Sequence, residues 1–104
     1  MKEIKVGSIV ATDYYGCPHA FKVIKTTAKT ALCKELNLKV TSDDGYGQNG
    51  TCVPVENEFK DNPYYGEIMC RIKDSSDGDQ YLVNKKESLC LFQYGGRPLH
   101  YYTD

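Results

Sequence analysis

Apolar and polar positions along the chain form short segments separated by turn-forming residues, and none of these segments is long enough for an extended amphipathic helix. Strict alternation over four to eight residues is typical of a strand with one buried face. The pattern predicts six or seven short strands. They fall on residues 6–12, 20–27, 30–40, 51–55, 67–73 and 80–84, with residues 88–94 and an edge strand over 99–102 as the remaining candidates.

Alternation is clearest over residues 67–73, where Ile68, Cys70 and Ile72 are predicted to point inward. The outward set of this strand is Glu67, Met69, Arg71 and Lys73. Over residues 20–27, Phe21 and Val23 share one predicted face, and Lys22 and Ile24 share the other.

Two segments allow a second interpretation. Residues 31–38 also fit two helical turns, but their β-branched neighbours and the short connector before them favour a strand. Residues 88–94 fit either a last strand or one helical turn capped by Ser88.

Glycine, proline and acidic residues mark the connections. Residues 41–50, with three glycines, and residues 57–66 are predicted loops, and residues 74–79 are a predicted hairpin loop. Because proline cannot donate to a strand ladder, Pro54 restricts its segment to a sheet edge or a bulge.

Many short strands within 104 residues predict one mainly β domain, residues 1–104. The expected architecture is a small, bent antiparallel sheet or an SH3-like barrel with at most one short helix. Hydrophobic residues at 40% and charged residues at 26% fit such a domain and argue against global disorder.

The chain has no apolar run of membrane-spanning length and no apolar signal core after Met1, so the sequence predicts a cytoplasmic protein without a membrane partner. Its five cysteines are dispersed and odd in number. This usage predicts reduced, mainly structural thiols in a reducing compartment.

Charge is distributed unevenly, although the formal net charge is only −1. Residues 1–39 sum to +4 and residues 40–80 sum to −6. The two parts could attract each other or could present separate faces to a partner.

Four stretches resemble a widespread group of small, largely uncharacterised proteins of phages and other mobile elements. They are VGSIV (6–10), AFKVIKTTAKTALCKEL (20–36), VPVENEF (53–59) and LFQYGGRPLHYYTD (91–104). The group typically has a Val-Gly-Asp-Ile start, an aromatic-x-Val hairpin and a Trp-Asp-Gly-Lys-Pro-like end. Its polar Tyr-Asp-Gln-Thr-Asn block is replaced here by YYGCPHA (14–20). The resemblance implies a phage or mobile-element origin and a compact β-rich fold, and it supplies no catalytic residues.

No motif predicts catalysis, a metal or another cofactor. Cys17 and His19 are the closest pair of soft ligands, whereas a tetrahedral zinc site usually needs two such pairs. The Asp74, Asp77 and Asp79 cluster lacks the spacing of a calcium loop and is typical of a solvated turn. We therefore expect a protein that is not an enzyme.

The leading sequence-based hypothesis is an accessory protein that binds and inhibits a host macromolecule, for example a defence protein, through an acidic, tyrosine-rich surface. The predicted contact residues are Asp43, Asp44, Tyr46, Glu56, Glu58, Tyr64, Tyr65, Tyr101 and Tyr102. The alternative is a small nucleic-acid-binding barrel that uses the lysine-rich hairpin of residues 20–39. Its predicted contact residues are Lys22, Lys25, Lys29 and Lys34. The oligomeric state is left open.

Overall fold

A computed structural model of the protein describes residues 3–12, 18–43, 49–61, 66–96 and 98–102, and for residues 42, 43, 49 and 100–102 it describes the backbone alone. This part of the chain forms eight strands and no helix. The strands are β1 Ile9–Thr12, β2 Ala20–Thr26, β3 Thr30–Asp43, β4 Asn49–Phe59, β5 Glu67–Asp74, β6 Gln80–Asn84, β7 Leu89–Gln93 and β8 Leu99–Tyr102. Nothing in these ranges is a helix that could cross a bilayer.

Six of the strands close into an antiparallel barrel. Neighbours follow the order β2-β1-β7-β6-β5-β3, and pairing between β2 and β3 completes the ring. The longest strand, β3, uses its first half in the barrel and its second half outside it. Beyond the barrel, β4 pairs with β3 from Leu38 to Asp43, and β8 pairs with the start of β4.

The barrel interior is filled by the inward residues of the alternating strands. Val10, Phe21, Val23, Leu82 and Leu91 are fully buried. The other buried members of this cluster are Ile4, Ala31, Cys33, Ile68, Cys70 and Leu89. Burying such side chains is the main favourable contribution to the stability of a domain of this size.

The mainly β class and the barrel are confirmed, and so is the predicted alternation of β2 and β5. Residues 31–38 and 89–93 are strands, so the helical interpretations are wrong. Pro54 lies beside a register shift between β3 and β4, which confirms the predicted bulge.

Three predicted boundaries are wrong. The first strand begins at Ile9 because the chain turns at Gly7, whose φ is 96°, and Val6 is 60% exposed. The predicted loop of residues 41–50 is shorter, since β3 extends to Asp43 and β4 begins at Asn49. The predicted irregular stretch after residue 57 starts only beyond Phe59.

Candidate functional site

A basic groove lies on the outer face of β5 and β6. It has a volume of about 640 Å³ and contains four cationic and two acidic side chains. The cationic residues are Arg71, Lys73, Lys85 and Lys86, and the acidic residues are Glu67 and Glu87. We call this feature the basic groove.

Strand alternation and one turn bring the cations of the basic groove together. Arg71 and Lys73 are outward residues of β5, and the turn after β6 places Lys85 and Lys86 beside them. Asn84 fixes this turn: its Nδ2 donates to the Met69 carbonyl at 3.1 Å, and its Oδ1 accepts the Glu87 backbone N–H at 2.8 Å. Met69 is 54% exposed within the groove. Because these hydrogen bonds already fix the turn, Lys85 and Lys86 stay beside Arg71 and Lys73 without a further loss of conformational entropy on binding.

An aromatic pair continues the same outer face. Tyr81 lies directly across the strands from Lys73, and its ring stacks on that of Phe92 with centroids 5.7 Å apart and planes 21° apart. Phe92 is 43% exposed. The two rings line a second cavity of about 230 Å³, whose other walls include Ser75, Asp77 and Asp79. We call this feature the aromatic cavity.

The lysines of the predicted basic hairpin divide into two groups. Lys25 and Lys29 are exposed. Lys22 instead donates to Asn57 Oδ1 and lies 3.7 Å from Glu56 Oε1, and the Lys34 ammonium sits 4.7 Å from the centroid of the Phe59 ring.

The hairpin and the basic groove belong to one outer surface. Lys22 lies opposite Lys34 in the ladder between β2 and β3, and Lys34 lies opposite Glu67 at the edge of the groove. Glu67 therefore lies between the basic groove and the two lysines of the hairpin.

The predicted acidic, tyrosine-rich surface is only partly described. Glu56 and Glu58 are exposed on β4, where Glu58 accepts a hydrogen bond from Asn37 at 3.1 Å. Asp43 and Tyr101 both occupy positions opposite Gly50, one on each side of β4, and Tyr102 follows on β8. Asp44, Tyr46, Tyr64 and Tyr65 lie outside the described residues.

A buried carboxylate closes one end of the barrel. The Glu35 side chain is fully buried, and its Oε2 lies 2.9 Å from His19 Nδ1 and 3.1 Å from Lys60 Nζ. The backbone joins the same segments, because Lys60 N–H donates to the Glu35 carbonyl and Glu35 N–H donates to the Gly66 carbonyl. These contacts tie β3 to the chain preceding β2 and to the connection between β4 and β5. Cys17, the other member of the pair singled out in the sequence, lies outside the described residues.

Four cysteines of the described residues form no disulfide: Cys33, Cys52, Cys70 and Cys90. Cys33 and Cys70 are buried in the barrel on adjacent strands. A hydrogen bond with Cys70, together with burial, raises the pKa of Cys33. Burial likewise raises the pKa of Cys52. Raised values disfavour the nucleophilic thiolate, so these two positions suit packing and not thiol chemistry.

The described residues contain no group of three or more His, Cys, Asp or Glu side chains placed to hold a metal ion. Around the Asp74–Asp79 turn, Asp77 Oδ1 instead accepts hydrogen bonds from the Ser75 hydroxyl and, at 3.1 Å, from the Asp79 backbone N–H. The Ser75 hydroxyl, and then the Asp79 N–H, lower the pKa of Asp77. Asp77 is therefore an ionised acceptor at neutral pH.

No protein-family model, curated protein or solved structure matches this chain. The resemblance to phage and mobile-element proteins thus stays a prediction from the sequence.

Sequence reasoning missed both the basic groove and the aromatic cavity. The sequence did predict that Arg71 and Lys73 point outward, and two cations on one face of a strand already indicate a basic surface. Lys85 and Lys86 lie beside a predicted strand end, and nothing local indicated that their turn folds back over β5. The Tyr81–Phe92 contact depends on pairing between β6 and β7, which the sequence does not specify.

Proposed function

We propose that this protein is a non-catalytic β-barrel module that binds single-stranded nucleic acid across the basic groove and the adjoining aromatic pair. One observation carries the proposal: four cations and an aromatic pair, of which Phe92 is exposed and Tyr81 half-buried, share one outer face of β5, β6 and β7. This deepens the sequence-based alternative and moves its centre from the hairpin to the basic groove.

The charge arrangement supports an anionic polymer as the ligand. Arg71, Lys73, Lys85 and Lys86 line a groove formed by β5, β6 and the turn that follows β6. Phosphates bound at such cations release counter-ions, which supplies sequence-independent affinity. The overall charge of −1 does not prevent this, because binding depends on the local field over the groove.

The aromatic pair supports a single strand over a duplex. In a duplex the bases are stacked on one another, and their faces are not available to protein side chains. A single strand can place a base on the exposed ring of Phe92, and stacking of this kind tolerates any base. Cationic grooves combined with aromatic platforms are typical of proteins that bind single strands.

Fluorescence anisotropy with a labelled oligonucleotide of mixed sequence tests the proposal. We expect the wild-type protein to bind single-stranded DNA or RNA more tightly than the matching duplex. The double substitution Arg71→Gln and Lys73→Gln should weaken binding at least tenfold, because two phosphate contacts are lost.

A matched control distinguishes the charges of the basic groove from positive charges elsewhere on the protein. Lys25→Gln with Lys29→Gln removes the same charge from exposed positions of the hairpin. We expect this variant to weaken binding less than the groove variant does. If the hairpin variant loses binding and the groove variant does not, the sequence-based hairpin site is the working surface.

Binding of a basic protein surface is a second candidate function. It is favoured by the positions of Asp43 and Tyr101, which flank Gly50 on the two sides of β4 and so bring an acidic and an aromatic residue to one end of the sheet. On this proposal the partner is a host protein that the chain inhibits. Pull-down from host lysate with the Asp43→Lys, Tyr101→Ala variant as the control should recover the partner with the wild-type protein alone.

A further inference from the structure

We infer that the aromatic cavity receives a nucleobase and discriminates in favour of bases that carry an exocyclic amino group over thymine and uracil. This inference rests on the proposed function. It assigns the two features of the outer face to different parts of the ligand: the sugar–phosphate chain to the basic groove, and a base to the aromatic cavity.

Position and size support this division. The aromatic cavity begins at Tyr81, which lies across the ladder from Lys73 of the basic groove. A strand whose phosphates follow the groove therefore reaches the cavity within one nucleotide step. Its volume of about 230 Å³ accommodates a base and is too small for a folded element of a partner protein.

The chemistry of the walls excludes the phosphate. Asp77 and Asp79 are carboxylates at the rim, and they repel an anionic group in a site that the stacked rings leave apolar on one side. A neutral base has a flat face for Phe92 and Tyr81. The ligand part that fits both walls is thus the base.

Asp77 provides the selectivity. Its Oδ1 already accepts the Ser75 hydroxyl and the Asp79 N–H, and these bonds fix the carboxylate in the turn. Asp77 lines the cavity, and its second carboxylate oxygen is the acceptor that this inference assigns to the base. Cytosine, adenine and guanine bring an amino donor to such an acceptor, whereas thymine and uracil place carbonyl oxygens on either side of their single ring N–H.

Fluorescence anisotropy against an oligothymidylate series tests the inference, with one central thymine replaced by cytosine, adenine or guanine. We expect the three amino-bearing oligonucleotides to bind about tenfold more tightly than the parent. Phe92→Leu should weaken binding of every oligonucleotide by about tenfold, because the stacking surface is lost.

The Asp77→Asn variant separates selectivity from folding and from overall affinity. The amide oxygen can still accept the two turn hydrogen bonds, while an NH₂ group replaces the second acceptor. We expect this variant to bind oligothymidylate as well as the wild type or better, and to lose the preference for amino-bearing bases. Asp61→Asn, which makes the same charge change at an exposed position after β4, should keep the preference.

The outcomes distinguish this inference from the proposed function. Tight binding of all four oligonucleotides with equal affinity overturns the base site and leaves the function of the basic groove standing. Preference that survives Asp77→Asn also overturns it. Absence of binding to any oligonucleotide overturns both.

Discussion

Among the residues that the structure describes, Glu35 is a charged residue whose carboxylate is fully buried, at the end of a hydrophobic barrel. It is held by His19 and by Lys60, whose side chain is 27% exposed. A buried charge is tolerated when its hydrogen-bonding partners are in place, and removing one partner leaves another group uncompensated. Glu35 therefore fixes one end of the barrel and adds little to net stability over an apolar residue of the same shape.

Glu35→Gln should destabilise the protein by about 3 kcal/mol, since the amide cannot neutralise Lys60. Urea denaturation monitored by circular dichroism measures the change. Glu58→Gln on the exposed face of β4 is the matched control, and its effect should stay below about 0.5 kcal/mol. Equal stability of the two variants would show that Glu35 is not paired as described.

Cys52 predicts how stability depends on pH on the alkaline side. Burial raises the pKa of Cys52 in the folded protein, so the folded state keeps the proton after the unfolded chain has lost it. The contribution of the protonated thiol to the free energy of unfolding is complete below the pKa of an unfolded thiol, roughly 8.5. It declines as the pH rises beyond that value.

Cys52→Ala should accordingly lose less stability than the wild-type protein between about pH 8 and about pH 10, whatever its stability at neutral pH. Parallel urea titrations at the two pH values measure this difference. Equal losses in both proteins would refute the contribution of Cys52.

At the scale of elements, β3 is one strand in two environments. Residues as far as Leu36 pair with β2, and residues 30–34 also pair with β5, whereas from Leu38 onward β3 pairs with β4. Val40 is 54% exposed in the second half, while Ala31 and Cys33 are fully buried in the first. The two halves should differ in local stability.

Amide hydrogen exchange should therefore be slowest at inner positions such as Cys33 and faster at Lys39 and Val40. The expected reason is that opening the extension disrupts one ladder and little buried apolar surface. Exchange resolved by NMR measures the difference. Uniform protection along β3 would mean that the extension and the barrel open as one unit.

The local sequence pattern was sufficient to predict the strands that have one buried face. It could not predict structure that depends on pairing between segments far apart in the sequence. The alternation of Ile68, Cys70 and Ile72 reports burial directly, so β5 was predictable. Residues 41–43 are polar and read as a loop, but they stay extended because Asp43 pairs with Gly50. The candidate site shows the same limit, since two of its cations lie on a predictable strand face and two arrive by a turn.

At the scale of the whole molecule, the cations of the basic groove act within a chain that is acidic overall. Non-specific attraction of the whole protein to nucleic acid is therefore weak, and binding should depend on a few phosphate contacts. The dependence of the binding constant on salt concentration gives the number of such contacts.

The logarithm of the binding constant for a single strand should fall with the logarithm of salt concentration with a slope of about 2 to 3, from four contacts at roughly 0.7 each. Lys86→Gln should lower the slope by about 0.7. Anisotropy titrations at several salt concentrations give both values. A slope near zero would contradict binding through the basic groove.

Closure of the barrel also determines when the chain can fold during its synthesis. The ring also needs the pairing of β1 with β7, with Val10 opposite Gln93, so the first strand has no partner on that side until residues near the end of the described sequence have been synthesised. A nascent chain that holds only β1 and β2 leaves one side of the barrel interior open, and Val10 and Phe21 then contact water. Folding of the barrel should consequently be delayed until most of the described sequence has been synthesised.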